Sequence, residues 1–143
     1  MHDRLSARGA GERPRILVIS PWETVWSLAI GSGIKAGVSD DDRFIEGFTA
    51  AGYDLHFLRP QGAHTDPRVT TYTYPNFFRT TASYSTAAKR ALWPSLFNLN
   101  VMPRAVSLAK ALAPVVVMGH SHYATAATWW CRRITGVPSV VKL

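Results

Sequence analysis

Cysteine is almost absent from this sequence, and long apolar runs are absent altogether. Cys131 is the one cysteine among 143 residues, so no disulfide can form within the chain, and the composition fits a reducing cytoplasm. No apolar run approaches the ~20 residues that span a bilayer. The basic N-terminus is not followed by the apolar segment of a secretory signal. We therefore predict a cytoplasmic globular protein whose single thiol serves packing.

Acidic residues are also scarce, with nine Asp and Glu against sixteen Lys and Arg and a formal net charge of +7. A basic balance favours anionic partners such as nucleotide phosphates, lipid headgroups or nucleic acid. The sequence contains no arginine-rich helix or basic–aromatic platform, so nucleic acid is not predicted as a partner. Lys89, Arg90, Arg104 and Lys110 fall in predicted helices. They could form a surface peripheral to the inner face of a membrane, or an ordinary solvated face.

The chain does contain a regular alternation of short buried strands and helices. Strands are predicted at 15–20, 54–58, 69–74, 115–118 and 138–143, and helices at 40–51, 80–92, 96–112 and 123–134. The alternating segment 69–74 should be an edge strand. Phe44, Ile45 and Phe48 should form the apolar side of the first helix, and Gly136 should end the last one. This alternation predicts an α/β fold, a Rossmann-like and mostly parallel sheet with helices on both faces. We expect residues 1–14 to be a disordered basic lead and residues 15–143 to form one domain.

Three further expectations concern the prolines, two of the tryptophans and the last residue. Pro94 should break the helical region after residue 92, and Pro103 should interrupt the next helix. Trp129 and Trp130 should pack against the sheet from their predicted helix. The sequence stops at Leu143, within what looks like a core strand, so we expect a piece of a longer protein.

The segment whose residues are best suited to binding or catalysis is VVVMGHSHY, which begins at Val115. Open α/β sheets bind ligands just past the carboxyl ends of their strands, so His120, Ser121, His122 and Tyr123 are candidate site residues. Side chains alternate along an extended backbone, and one imidazole should therefore face a cleft, although either could be that one. A histidine that only satisfies backbone groups at the strand end is the alternative. Because no third ligand is near the two histidines in sequence, a metal site is not predicted. No cofactor is predicted either.

A second candidate site is the glycine cluster Gly31-Ser32-Gly33 with Lys35, in the long segment between the first strand and the first helix. Glycine lets backbone N–H groups approach a phosphate closely, and Lys35 adds a cation. The cluster is a poor dinucleotide fingerprint, because Arg59 stands where an acidic residue would close the second strand. A loop that simply requires turn residues is the alternative.

Taken together, these segments resemble the N-terminal domain of family 4 glycosyltransferases of the GT-B fold. The likeness spans residues 15–143 and rests on RILVISPW, GSG, RFIEGFTAAGYDLHFLRP and VVVMGHSHYATAATWWCRRITGVPSVVKL. It implies a two-domain, hexosyltransferase-like enzyme that moves a sugar from a nucleotide-sugar donor to an acceptor, with retention of configuration. Gly31 and Gly33 would lie near the donor diphosphate, and His120 or His122 would contact the transferring sugar.

The resemblance also implies that this chain lacks the C-terminal donor-binding domain, with its paired glutamates spaced E-x7-E. The piece alone is therefore expected to be inactive. Two other functions stay open on the sequence. One is a non-catalytic small-molecule or membrane-surface binding module of the same fold, and the other is a fragment of a nucleotide-dependent oxidoreductase.

Overall fold

Five strands and three helices make up the part of the chain that the computed structural model describes, which is residues 11–21, 40–63, 65–75 and 87–142. In chain order the elements are β1 (Arg15–Ile19), α1 (Asp40–Ala50), β2 (Asp54–Pro60), β3 (Thr70–Tyr74), α2 (Ala87–Leu112), β4 (Val116–His120), a 3-10 turn (His122–Ala124), α3 (Thr125–Thr135) and β5 (Ser139–Lys142).

The strands form one sheet in the order β3-β2-β1-β4-β5, and every neighbouring pair is parallel. The central strand β1 is apolar on both faces, as strands of a covered parallel sheet are, and Ile16 to Ile19 are all buried. β3 lies at one end of the order, as its alternating sequence predicted. The predicted fold class, a Rossmann-like α/β sheet with helices on both faces, is confirmed.

Each face of the sheet has its own apolar core. On one face, α1 contributes Ile45, with Phe44 and Phe48 beside it, against Val18 and Phe57 of the sheet. This is the helix face that the spacing of its aromatic residues predicted. The opposite face carries α2 and α3. Its core consists of buried apolar side chains from both helices and from the strand residues that point toward them, among them Leu17, Ile19, Leu58, Phe97, Val101, Ala105, Val117, Ala127 and Cys131.

Cys131 is part of this second core and is completely buried. Burial disfavours the charged thiolate and raises the pKa of the Cys131 thiol to about 11. A thiol held neutral in this way is a poor nucleophile. Its role is packing, as predicted.

The expected helix break at Pro94 is wrong, since α2 runs without interruption through both Pro94 and Pro103. Each internal proline removes one helix hydrogen bond and costs about 3 kcal/mol. The buried side chains of Phe97, Val101 and Leu108 lie along the same helix, and burying each contributes roughly 1.5–3 kcal/mol. Packing against the sheet therefore outweighs the local cost. The predicted helical residues 80–86 lie outside the described residues.

The expected packing of Trp129 and Trp130 against the sheet is also wrong, because they are 52% and 40% exposed. Helix α3 turns Ala127, Thr128 and Cys131 toward the sheet, at the i, i+1 and i+4 positions of one helix face. The two tryptophans are rotated away from that face, and their rings contact each other edge to face at 4.9 Å. Gly136 ends α3 in the left-handed conformation, as predicted.

Candidate functional site

The order of the strands creates a crevice at the carboxyl edge of the sheet between β1 and β4. From β1 the chain proceeds to β2 on one side, whereas from β4 it proceeds to β5 on the other side. The helices that follow these two strands lie on opposite faces of the sheet. Divergence of this kind leaves an opening past the strand ends, where ligands of open α/β sheets bind.

His120 is the last residue of β4 and lies at this opening. Its side chain lines a shallow hollow together with Val18 of β1, Phe44 of α1, Met118 of β4 and Lys142 of β5. We call this hollow the edge hollow. The surface inside the hollow is apolar, and the two polar residues among those that line it, His120 and Lys142, are both half-buried. An anionic or hydroxyl-rich group could therefore be bound at its rim by hydrogen bonds and charge.

Lys142 reaches the same hollow because β5 pairs with β4 in a register that sets Lys142 opposite His120. The ammonium nitrogen of Lys142 lies 5.7 Å from the centre of the Phe44 ring, within the range of a cation–π contact. The sequence reasoning missed Lys142, because nothing in its own neighbourhood marks it. The available signal was that His120 and Lys142 both stand at the carboxyl ends of predicted strands, which would lie side by side if those strands were neighbours in a parallel sheet.

His122 lies apart from the edge hollow, on the exposed 3-10 turn that follows β4. Its ring contacts that of Tyr123, with 4.0 Å between ring centres. Between the two histidines, Ser121 has a φ angle of 94°. A non-glycine residue in this region is strained, and such strain persists only where surrounding contacts hold it.

Several hydrogen bonds hold the turn in this strained geometry. The Ser121 N–H donates to the carbonyl of Lys142 at 2.9 Å, and the Ala124 N–H donates to the Ser121 carbonyl at 3.0 Å. The Ser121 hydroxyl oxygen accepts from the Tyr123 N–H at 3.3 Å. Ser121 and Tyr123 thus join the end of β4 to the start of α3, and Tyr123 packs against the core on the α2 and α3 face of the sheet.

Asn98 of α2 fixes the start of α3 from outside that helix. Its amide nitrogen donates to the Tyr123 carbonyl at 2.7 Å and to the Pro94 carbonyl at 2.6 Å, while its amide oxygen accepts from the Ala127 N–H at 2.8 Å. The N-cap residue of α3, Ala124, has no side-chain cap of its own. Asn98 therefore supplies the cap from 29 residues away in sequence.

We expect Asn98→Ala to destabilise the protein by about 2–3 kcal/mol, because it leaves a helix N–H and a half-buried carbonyl without their partner. Asn100→Ala is the matched control, since the Asn100 amide makes a single exposed hydrogen bond, to the Pro75 carbonyl. That change should cost no more than about 1 kcal/mol. Urea unfolding of both variants measures the difference, and equal losses would contradict a capping role for Asn98.

Two other polar residues of β2 are not among those that line the edge hollow. Arg59 is fully buried, with its guanidinium 4.6 Å from the centre of the Phe57 ring. At the start of the strand, His56 contacts the Asp54 carboxylate at 2.9 Å and the Tyr72 hydroxyl at 3.3 Å. His56 is therefore held in the amino-terminal half of β2, opposite Leu17 in the middle of β1.

The glycine cluster Gly31, Ser32 and Gly33, together with Lys35, lies outside the described residues. The flanking elements are described: β1 ends at Ile19 on the edge that carries His120, and Phe44 near the start of α1 lines the edge hollow. Among the side chains of the described ranges, no group of three or more His, Cys, Asp or Glu residues could hold a metal ion.

Comparison with known proteins finds similarity in fold. No family model matches the chain, and no curated protein matches it either. Among solved structures, the glycotransferase of kitacinnamycin covers 91% of this chain with a TM-score of 0.63 and 13% identity, and the chain spans 30% of that protein. The spinosyn rhamnosyltransferase SpnG, solved with thymidine diphosphate, covers 89% with a TM-score of 0.51 and 19% identity, and the chain spans 34% of it.

A third similar structure comes from a protein of another kind. The C-terminal domain of the PF1911 hydrogenase from Pyrococcus furiosus covers 95% of this chain with a TM-score of 0.58 and 12% identity, and the chain spans 96% of that domain. At these identities the likenesses are informative about the fold alone. The chain has a Rossmann-like α/β fold similar to that of glycosyltransferase domains.

Proposed function

We propose that this chain is the N-terminal, acceptor-side domain of a cytoplasmic family 4 glycosyltransferase of the GT-B fold. In this proposal the complete enzyme transfers a hexosyl group from a nucleotide-sugar donor to an acceptor, with retention of configuration. The observation that carries the proposal is the position of His120. Its imidazole lines a hollow at the carboxyl edge of β4, beside the point where the chain connections diverge, on a fold similar to that of two sugar transferases.

His120 is the residue that we assign to the transferring sugar. An imidazole that ends a central strand is held by the sheet, so its ring nitrogen can be directed at a sugar hydroxyl or at the departing oxygen without reorganisation. Lys142 lines the same hollow and would add positive charge next to a donor phosphate or an acidic acceptor. Ser121 and Tyr123 would shape the side of the site that leads to α3.

The glycine cluster Gly31-Ser32-Gly33, with Lys35, is assigned to the donor diphosphate. This assignment is supported by connectivity, because the segment that contains the cluster joins β1 to α1, and both Val18 of β1 and Phe44 of α1 line the edge hollow with His120. Backbone N–H groups and Lys35 would neutralise phosphate charge. In the complete enzyme of this proposal, a C-terminal domain would close over the same edge and bind the nucleotide.

The test is sugar transfer by the full-length protein, measured as release of nucleoside diphosphate from a panel of nucleotide sugars with candidate acceptors. We expect turnover with at least one donor, and none from residues 1–143 alone, because the donor-binding domain would be absent. A full-length protein that binds small ligands but releases no diphosphate from any donor would overturn the enzyme assignment.

A non-catalytic small-molecule binding module is the second candidate function. The near-complete mutual coverage with the PF1911 hydrogenase domain favours it, since that likeness matches this chain as a whole unit. Titration with NAD(P)H, followed by its fluorescence, distinguishes a nucleotide-binding module from a sugar transferase. Saturable NAD(P)H binding in the absence of sugar transfer would favour the module or an oxidoreductase fragment.

A further inference from the structure

Charge is divided very unevenly along this sequence. All nine Asp and Glu residues lie at or before Asp66, together with seven of the Lys and Arg residues. After Asp66 the chain contains nine Lys and Arg residues and no acidic residue at all. The acid-free part includes α2, β4, α3 and β5. α2 and α3 pack against each other on one face of the sheet, and the charged residues of these two helices are all basic.

The same part of the chain carries the exposed apolar side chains. Among the described residues, the large hydrophobic side chains that are 40–65% exposed all fall there, namely Leu92, Leu99, Trp129, Trp130, Ile134 and Val140. Between Arg90 and Arg104, α2 has no charged residue over 13 positions. An ordinary surface helix has a charged outer side, and a helix that is apolar all round is normally covered.

Exposed cations are interleaved with these apolar side chains. Arg104 and Lys110 on α2, and Arg132 and Arg133 on α3, are all exposed. Tryptophan prefers the headgroup level of a bilayer, and Arg and Lys extend their charged ends to lipid phosphates while their stems cover apolar surface. None of the described helices is long and apolar enough to cross a bilayer.

We propose that the solvent-facing sides of α2 and α3, which we call the cationic face, dock on the surface of an anionic lipid bilayer. Charge complementarity selects this occupant over a second copy of the chain. A symmetric dimer through this face would bury Lys110, Arg132 and Arg133 against an identical surface whose helices contain no acidic residue to pair them. The two tryptophans also meet edge to face, whereas a nucleic-acid platform presents ring faces on which bases stack.

Docking through the cationic face would leave the edge hollow accessible. His120, Phe44 and Val18 lie on the α1 side of the sheet, whereas α2 and α3 cover the other side. The lipid contact is therefore independent of sugar transfer, and the two proposals can fail separately.

Vesicle flotation with the full-length protein tests the docking proposal. Vesicles of phosphatidylcholine alone are compared with vesicles containing equal parts of phosphatidylcholine and phosphatidylglycerol. We expect the protein to float with the anionic vesicles and to remain in solution with the neutral ones. Since each cation near such a surface changes partitioning about five-fold, Arg132→Gln with Arg133→Gln should weaken binding by roughly 25-fold. Leu92→Ser with Leu99→Ser should weaken it further by removing apolar contact.

The matched control is Arg43→Gln, which removes the same charge from an exposed position on α1, on the opposite face of the sheet. It should bind anionic vesicles as the unchanged protein does. Equal losses for Arg43→Gln and for a single Arg133→Gln change would overturn a defined docking face, because net charge alone would then explain binding. Absence of binding to anionic vesicles, or a dimer in solution that Leu92→Ser with Leu99→Ser dissociates, would also overturn it.

Discussion

Replacing His120 by alanine is expected to lower the rate of sugar transfer by the full-length enzyme about 100-fold, while His122→Ala changes it by less than about three-fold. A hydrogen bond to a charged or developing-charge group contributes roughly 1.5–3 kcal/mol, and its loss in the transition state lowers kcat/KM accordingly. The asymmetry follows from geometry, because His120 lines the edge hollow whereas His122 lies on an exposed turn against Tyr123.

Steady-state kinetics on both variants, with thermal unfolding as a check on folding, measures this difference. A contact made mainly in the transition state should reduce kcat with little change in KM. His120→Gln should restore part of the rate, since an amide can donate one hydrogen bond from a similar position. Losses that are negligible for both histidines, or larger for His122, would remove His120 from the proposed site.

Replacing Gly119 by alanine should destabilise the fold by about 1–3 kcal/mol, the usual cost of forcing an added group into a packed interior. A Cβ atom at Gly119 would lie 2.5 Å from the Thr128 hydroxyl oxygen and 3.3 Å from the Ala124 Cβ. The Thr128 hydroxyl cannot move away cheaply, because it is buried and donates to the Ala124 carbonyl at 2.7 Å. The absence of a side chain at Gly119 is what lets α3 approach β4.

Gly47→Ala is the matched control for this change. Gly47 lies within α1, and a Cβ atom there would meet nothing within 4 Å. Because alanine is the better helix former by about 0.8–1 kcal/mol, this variant should be more stable than the unchanged protein. Thr128→Ala combined with Gly119→Ala should cost less than the two single changes added together. Urea unfolding of the unchanged protein and of the four variants measures these differences, and a neutral Gly119→Ala would contradict close packing of α3 on β4.

Displacement of α3 would also affect the proposed site. The turn that carries Ser121, His122 and Tyr123 ends where α3 begins, and Asn98 contacts both the Tyr123 carbonyl and the first turn of α3. We therefore expect Gly119→Ala to reduce transfer as well as stability, whereas Asn100→Ala should leave transfer unchanged.

Much of the fold could be predicted because its signals are local. The β-branched run before Gly119 predicted a buried strand, and it forms β4. The spacing of Phe44, Ile45 and Phe48 predicted the buried side of α1, and Gly136 predicted the end of α3. Each of these signals depends on a few consecutive residues, which share one backbone geometry.

The wrong predictions concern residues whose environment is set by distant parts of the chain. Pro94 has a local preference to end a helix, but the burial of Phe97 and Val101 against the sheet carries α2 through it. Trp129 and Trp130 are apolar enough for a core, yet the rotation of α3 is fixed by Ala127, Thr128 and Cys131. These small residues allow α3 to pack close to the sheet, and the two large tryptophan side chains remain on the exposed side of the helix.

The sequence by itself determined the alternation of strands and helices, the α/β class, the position of the histidines at a strand end, and the charge division after Asp66. Only the tertiary structure decided that His120 shares a hollow with Lys142, and that Asn98 caps a helix 29 residues away. The reason is physical. Periodicity and turn preference belong to neighbouring residues, whereas a contact between elements depends on strand register and helix rotation, which the packing of the whole core sets.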